Sequence, residues 1–438
     1  MFTSLMLSAS LAGGQPPATI PTPLPGVTPV GQPAQLPAGP AIVIQEPKKD
    51  AAVPPGGVPN AQEIPEKSDP EADAPRTKYL LERSIAETRL GQILDQNGFV
   101  IQGWTQMSYN ASSAANSNAP VFMTDRANDF MMNQNYLHIE KTLDTSKKEF
   151  QLGFLTDWIL PGTDARTTIV RGLWFDQVQR GEQYPIDPFQ FYAQAFLPGI
   201  GDGTTVKVGR FATHVGYELV QAPDTPFVSR SYMFQYNPFT HTGIWATTSV
   251  GDNWTVGYGA STGTDTFIDA NTNNLTFLGQ LKWAPKEGKT SVAFNVVVTD
   301  PSYIEAANFQ VYNFYNLVAT HKFNDKLTYV LDAGYAHMDD FPTAGSGTVH
   351  WYGAANYLVY AHNDSFTSTL RAEVFNDQQG ARTGFAGLYS EVTYGLTWKA
   401  MDGLLVRPSI RYDNNSQSAP FEGKQSLFTA TMDLIIRW

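Results

Sequence analysis

The sequence predicts an all-β fold: a closed antiparallel transmembrane β-barrel of about 16 strands, with a disordered Pro-rich N-terminal segment and one short helix before the barrel. Three observations support this prediction. Apolar and polar side chains alternate along segments of about ten residues, the length that a tilted strand needs to cross a bilayer. Long polar segments alternate with short turns between these strands. Charged residues form only 16% of the chain and aromatic residues 13%, whereas an ordinary soluble domain is about 25% charged.

The N-terminal part of the chain differs in composition from the rest. Residues 1–75 contain 16 of the 29 prolines and one aromatic residue, Phe2. We interpret residues 1–14 as a candidate signal segment, although no Lys or Arg precedes its apolar run. Residues 15–75 lack the apolar side chains for a core, so we predict a disordered tether. A spacer that threads the cell wall is the alternative interpretation of this segment.

Residues 76–97 and 98–438 show two different periodicities. In 76–97, apolar residues recur at helical spacing, which predicts one short helix at the mouth of the barrel. From residue 98 onward the period is two, so each segment has one apolar and one polar face. Eight long polar segments and seven short turns then give 16 strands. The pattern is clearest at the C-terminus, where one face carries Phe428, Ala430, Met432, Leu434, Ile436 and Trp438.

A β-propeller and a β-sandwich are the alternative all-β folds. Turn residues recur every 35 to 39 positions, a spacing that also suits a propeller blade. A blade, however, divides its residues among four short strands, whereas each repeat here contains two long alternating runs. A sandwich would bury its apolar faces against each other. Strands that face lipid must pair all their backbone groups, which requires a closed barrel.

Aromatic residues recur beside the short turns. Trp and Tyr prefer the membrane–water interface, so we predict that this rim carries a girdle of interface aromatics. We expect the rim and both termini to lie on the periplasmic side of an outer membrane, with outer-membrane lipid around the barrel. The strand that ends at the last residue is the expected contact for the barrel-assembly machinery. The predicted girdle comprises Trp254, Trp283, Phe366, Trp398 and Trp438.

The polar faces predict a water-filled lumen, because side chains cannot fill a barrel of this size. The third long loop, residues 214–236, combines aromatic and charged residues and has few small polar ones. We expect it to fold inward and to narrow the lumen. Opposed carboxylates and guanidiniums across a narrow wet gap would then select ions by charge. As an alternative, Glu218 and Asp224 form ordinary salt bridges at the outer rim. The candidate constriction residues are Glu218, Asp224, Arg230, Asp157, Arg371, Glu373, Arg407 and Arg411.

Several classes of function are disfavoured. The chain has no cysteine, which excludes disulfides and thiol chemistry. Its formal net charge of -12 argues against a nucleic-acid partner. No metal-ligand or nucleophile motif occurs among the histidines and serines, so we predict no cofactor, no metal and no enzyme activity.

The part of the chain from residue 98 resembles the OmpL-like β-barrel porins of the planctomycete type. The resemblance implies an outer-membrane, porin-like barrel and assigns no catalytic residues. It is most specific in the third loop, at Gly216, Tyr217 and Glu218. Other matching stretches are NQNYLHIEK at 133–141, VKVGRF at 206–211, QAPD at 221–224 and VRPSIRYD at 406–413.

We therefore predict an outer-membrane porin for passive diffusion of small hydrophilic solutes. Two alternatives belong to other classes. A non-conducting barrel could anchor the outer membrane to the cell wall through the Pro-rich tether, and a barrel-wall hydrolase could be built from side chains distant in sequence. The sequence does not determine the oligomeric state, which could be a homotrimer or a monomer.

Overall fold

A computed structural model describes residues 79–179, 181–268, 275–286, 288–305, 308–341 and 347–438. The candidate signal segment and the tether lie outside the described residues. In the described part of the chain, no helix combines the length and the apolar character needed to cross a membrane.

Two short helices precede the barrel, where the sequence predicts one. They are α1 (Leu80–Ile85) and α2 (Arg89–Gln96). Thr88 separates them, because its backbone is extended and its hydroxyl accepts a hydrogen bond of 3.1 Å from the Gly91 N–H. Thr88 is thus the N-cap of α2 and satisfies one of its free backbone donors.

Sixteen antiparallel strands form one closed barrel, as predicted. Each strand pairs with its sequence neighbours, and β1 pairs with β16 to close the sheet. Closure leaves no unpaired strand edge, which is the condition for a sheet that faces lipid. The strands are β1 (Phe99–Ser112), β2 (Asp129–Lys141), β3 (Gln151–Leu160), β4 (Asp187–Leu197), β5 (Thr204–Ala212), β6 (Thr240–Val250), β7 (Trp254–Thr264), β8 (Thr276–Trp283), β9 (Thr290–Glu305), β10 (Asn308–Lys322), β11 (Leu327–Phe341), β12 (Gly347–Asn363), β13 (Phe366–Asp377), β14 (Gly387–Met401), β15 (Leu404–Asn415) and β16 (Ser426–Arg437).

The two faces of the sheet differ as the sequence pattern predicts. On β16, Met432 and Ile436 are 50% and 41% exposed, whereas Asp433 and Ile435 are 1% and 0% exposed. The exposed apolar side chains form the outward face of the barrel. The alternate positions form the inward face, which carries nearly all of the buried charged side chains of the strands.

The two rims of the barrel also differ. One is a short-turn rim, where for example only Asp402 and Gly403 connect β14 to β15. Gly403 has a φ of +82°, which glycine adopts without strain. The other is a loop rim, whose main segments are L1 (113–128), L2 (161–186, with helices α3, Ala165–Thr168, and α4, Phe175–Val178), L3 (213–239, with helix α5, Tyr232–Gln235), L7 (378–386) and L8 (416–425).

Four strands near the loop rim are longer than the sequence suggests. From the sequence, the polar segments at 300–309 and 337–349 are predicted to be loops. Instead β9 continues to Glu305 and β10 begins at Asn308, and these two residues pair with each other. Likewise β11 continues to Phe341 and β12 begins at Gly347. Backbone pairing does not depend on side-chain polarity, so polar residues can continue a strand beyond the apolar belt.

Candidate functional site at the third loop

The backbone of L3 is bound by inward side chains from opposite sides of the barrel. Gln134 on β2 donates to the Val220 carbonyl at 2.7 Å and accepts from the Ala222 N–H at 3.2 Å. Asp332 on β11 accepts from the Tyr217 N–H at 2.9 Å. In the closed strand order, β2 and β11 are separated by seven steps in one direction and nine in the other. L3 therefore contacts two nearly opposite walls.

A carboxylate on β13 binds the start of helix α5. Glu373 accepts hydrogen bonds of 2.7 Å from the backbone N–H groups of both Tyr232 and Met233. Ser231 caps the same helix, with its hydroxyl accepting from the Phe234 N–H at 3.1 Å. The first turn of a helix has free N–H donors, and here a wall side chain and a loop side chain satisfy three of them.

Two guanidiniums on β15 bind L3 carbonyls. Arg407 donates to the carbonyls of Ala222, at 2.9 Å, and Thr225. Its Nε also donates to Asp433 on β16 at 3.0 Å. Arg411 donates to the Arg230 carbonyl at 2.7 Å. The wall thus supplies donors to loop carbonyls and acceptors to loop N–H groups.

A chain of buried ion pairs joins L3 to β13, β14 and β15. Glu218 of L3 lies 2.7 Å from Arg371, whose Nε lies 3.0 Å from Glu391. Arg411 lies 2.7 Å from Asp413 and 3.9 Å from Glu391. These side chains are at most 2% exposed. The Glu218 carboxylate and the Arg371 guanidinium touch each other, so no open water separates them.

L3 also packs against an apolar part of the inward face, which the sequence does not predict. The alternation suggests an inner face of small polar and scattered charged residues. The larger buried cluster instead combines Val215, Tyr217, Tyr232, Met233 and Tyr236 of L3 with wall residues that include Leu278, Val297, Phe314, Val330, Trp351, Tyr357, Phe375 and Tyr389. The inward face is therefore both polar and apolar, and L3 covers the apolar part.

Asp157, another predicted constriction residue, belongs to a separate group on the inward face of β2–β4. It accepts from Tyr136 at 2.8 Å and from Gln190 at 2.6 Å, and lies 2.6 Å from the His138 ring. The far nitrogen of His138 lies 3.5 Å from Glu140. None of these contacts is to Arg371 or to the β15 arginines.

Arg230 and Asp224, the remaining candidates, have different surroundings within L3. Arg230 is 1% exposed and donates to backbone carbonyls, including that of Val228 at 3.1 Å. Asp224 is the more open residue, since its side chain is 44% exposed and lies 3.5 Å from Arg437 at the end of β16. Arg437 in turn contacts Tyr79, just before α1.

The five predicted girdle aromatics all lie at the short-turn rim. Trp254 and Trp283 are directly opposite each other on β7 and β8. Phe366 stacks on Trp398 with a ring separation of 5.8 Å. Trp438 exchanges two backbone hydrogen bonds with Gly103 of β1. Their membrane-interface role stays a prediction.

Several residues in or next to the contacts of L3 are absent from the candidate constriction residues. Gln134 and Tyr79 carry no charge, and their contacts are made with distant segments of the chain. Asp332 contacts L3 and is one of the charged residues that the alternation places inward, and Arg437 also lies at an inward position. In the described ranges, no cluster of three or more His, Asp or Glu side chains is arranged to hold a metal ion.

A closed 16-strand barrel with an apolar outer face, one short-turn rim and one rim of loops is the architecture of an outer-membrane porin. Residues 98–438 match the family described as "Putative beta-barrel porin-2, OmpL-like". This match covers most of the chain, and the protein belongs to that family. No curated protein matches the chain significantly.

Solved porin structures are similar to the chain in fold. The anion-selective porin from Comamonas acidovorans is 10% identical with a TM-score of 0.55, and the match covers 78% of this chain and 99% of that one. OprB of Pseudomonas putida is 12% identical (TM-score 0.52; 81% and 97% covered). DcaP of Acinetobacter baumannii is 10% identical (TM-score 0.51; 78% and 97% covered). Family and fold together indicate an outer-membrane channel.

Proposed function

We propose that this porin lets small hydrophilic solutes diffuse passively across the outer membrane, through a lumen that L3 narrows. The observation that carries the proposal is the attachment of the L3 backbone to nearly opposite walls, through Gln134 on β2 and Asp332 on β11. A barrel of 16 strands is wide enough for an aqueous channel. A loop held across it would leave a smaller passage and so limit the size of the solutes.

The wall that remains uncovered by L3 supports a polar passage. Near the short-turn rim, inward side chains such as Gln102, Glu140, Ser249 and Thr320 are partly exposed. They offer hydrogen-bonding groups to water and to dissolved solutes. We propose that the short-turn rim and both termini face the periplasm.

The charged residues of the candidate constriction have two proposed roles. Glu218, Arg371, Glu373, Arg407 and Arg411 are buried and bound to L3 or to its partners, which suits a role in fixing the loop. Asp224 is the half-exposed carboxylate, so it is the group that a passing ion would meet. The charges of Arg230 and Asp157 would act on passing ions at longer range, through their electrostatic fields.

The test is the conductance of the purified full-length protein in planar bilayers. We expect stepwise single-channel conductance from the intact protein and from a variant that lacks residues 2–75. A barrel that only anchors the membrane to the cell wall would give no steps, and the deletion would release it from cell-wall fragments. An absence of conductance at any applied voltage would overturn the proposed function.

A further inference from the structure

We propose that Tyr79, which precedes the barrel, is a positioning residue of the pore: it holds Arg437 against Asp224 of L3 and thereby sets the charge and the width of the passage at the short-turn rim. This inference rests on the proposed channel function. It adds the segment before the barrel to the parts that determine permeation.

The contacts form a three-residue chain from the N-terminal segment to L3. The Tyr79 hydroxyl accepts a hydrogen bond from Arg437 Nη1, and the Arg437 guanidinium lies 5.1 Å from the centre of the Tyr79 ring. The other terminal nitrogen of Arg437, Nη2, lies 3.5 Å from Asp224 Oδ1. One guanidinium thus bridges a residue outside the barrel and the carboxylate of the third loop.

The N-terminal segment is fixed close to this position. Arg83 of α1 lies 2.9 Å from Asp402 in the turn between β14 and β15. This pair is exposed and contributes little by itself. At the other end, only Asn97 and Gly98 separate α2 from β1. Tyr79 is therefore held beside the final residues of β16 by the helices that follow it in the chain.

Arg437 is placed where it can affect permeation, because it is partly exposed and contacts a partly exposed carboxylate. Its side chain is 24% exposed and that of Asp224 is 44% exposed, unlike the fully buried Glu218–Arg371 pair. Water and small solutes can therefore reach both side chains. Cation–π and hydrogen-bond contacts with Tyr79 restrict the guanidinium to one place, so Asp224 keeps a fixed partner. Without Tyr79, Arg437 would be mobile and the ring would no longer occupy the rim.

The experiment uses the native absence of cysteine. Pro223 precedes Asp224 and is partly exposed, so Pro223→Cys is made in the full chain with Asp224 intact, alone and combined with Tyr79→Ala, Tyr79→Phe or Leu80→Ala. Leu80 is the neighbouring residue and is 71% exposed, so its replacement is the matched control. The rate of modification by a charged methanethiosulfonate reagent, added to barrels in liposomes, reports access to the segment around Asp224. Single-channel conductance is recorded for the same Tyr79 and Leu80 replacements with Pro223 intact.

We expect Tyr79→Ala to accelerate modification severalfold and to raise the conductance, with a smaller effect of Tyr79→Phe and none of Leu80→Ala. Equal rates and equal conductances for Tyr79→Ala and Leu80→Ala would overturn the inference and leave the channel function intact. If the unaltered barrel does not conduct, the proposed function fails instead, and the modification rates still decide the role of Tyr79.

Discussion

Glu218 of L3 and Arg371 of β13 form a fully buried ion pair with an Nη1–Oε1 distance of 2.7 Å. Arg371 also contacts Glu391 on the neighbouring strand. Without Glu218, Arg371 would keep Glu391 as its ionic partner, but the buried Ser231 N–H would lose its acceptor. The pair therefore fixes L3 to the wall of the barrel.

Glu218→Ala should release L3 from the wall. The change removes one of the two carboxylates that Arg371 contacts and leaves the buried Ser231 N–H without its acceptor. An unsatisfied buried donor costs about 1–3 kcal/mol, which would allow the loop to open locally. The measurement is limited proteolysis with trypsin, because Arg230 lies in L3 and is 1% exposed. We expect a new cleavage after Arg230, identified by mass spectrometry.

The control for this prediction is Asp129→Asn, which removes the partner of Arg126 in a pair whose side chains are 38% and 39% exposed. Exposed pairs contribute at most about 1 kcal/mol, so Arg230 should stay protected in this variant. Equal resistance of Glu218→Ala and the unaltered protein would contradict the anchoring role of Glu218.

Glu218→Gln combined with Asp224→Asn should shift ion selectivity toward anions. The double change removes two negative charges from L3 and leaves the wall arginines in place. The reversal potential in a KCl gradient measures the shift. Asp224→Asn alone should give most of it, because Asp224 is half-exposed whereas Glu218 is buried. Unchanged reversal potentials would remove these carboxylates from the selectivity mechanism.

Glu373→Ala should weaken the attachment of helix α5. It leaves the backbone N–H groups of Tyr232 and Met233 without their acceptor, and a buried unsatisfied donor costs about 1–3 kcal/mol. Hydrogen exchange at these two amides should become faster, and Glu373→Gln, which retains one carbonyl oxygen, should have a smaller effect. Identical protection in all three proteins would show that other contacts hold the helix.

The contact between L1 and L8 should depend on pH. The Glu422 carboxylate of L8 accepts from the N–H groups of Ala115, Asn116 and Ser117 at 2.7, 2.9 and 3.0 Å. These hydrogen bonds hold the pKa of Glu422 below its usual value. A lowered carboxyl pKa means that the contact is fully formed at neutral pH and is lost as the pH falls through the lowered pKa.

Hydrogen exchange at residues 115–117 measures this dependence after correction for the intrinsic effect of pH on exchange. Protection should be high at neutral pH and should disappear in strong acid, and Glu422→Gln should reduce it at neutral pH. Protection that is independent of both pH and Glu422 would contradict this prediction.

The sequence predicts the barrel because the membrane imposes a simple rule on each strand. Every segment must show apolar side chains to lipid at alternate positions, so the outward face can be read locally, as at Met432 and Ile436. The contacts of L3 follow no local rule. Glu218 and Arg371 are 153 positions apart, and their meeting depends on how far each strand is shifted against the next.

The apolar inward residues illustrate the same difficulty. Tyr357 packs against Tyr217 of L3, and Phe375 packs against Tyr232 and Tyr236 of L3. Alternation cannot distinguish an apolar residue under a loop from one that faces lipid. The break between α1 and α2 is similar in kind, since it depends on one capping hydroxyl at Thr88. Sequence patterns could not identify these residues, because the groups that surround them come from segments that are distant in the sequence.

The most direct test of the proposed diffusion channel is the swelling of liposomes that contain the purified protein in isotonic solutions of uncharged sugars of increasing size. We predict rapid swelling with the smallest sugars and a rate that falls steeply with size, because the passage that we propose L3 to narrow would hold back the larger sugars. Liposomes that swell no faster than protein-free ones with every sugar would contradict the account.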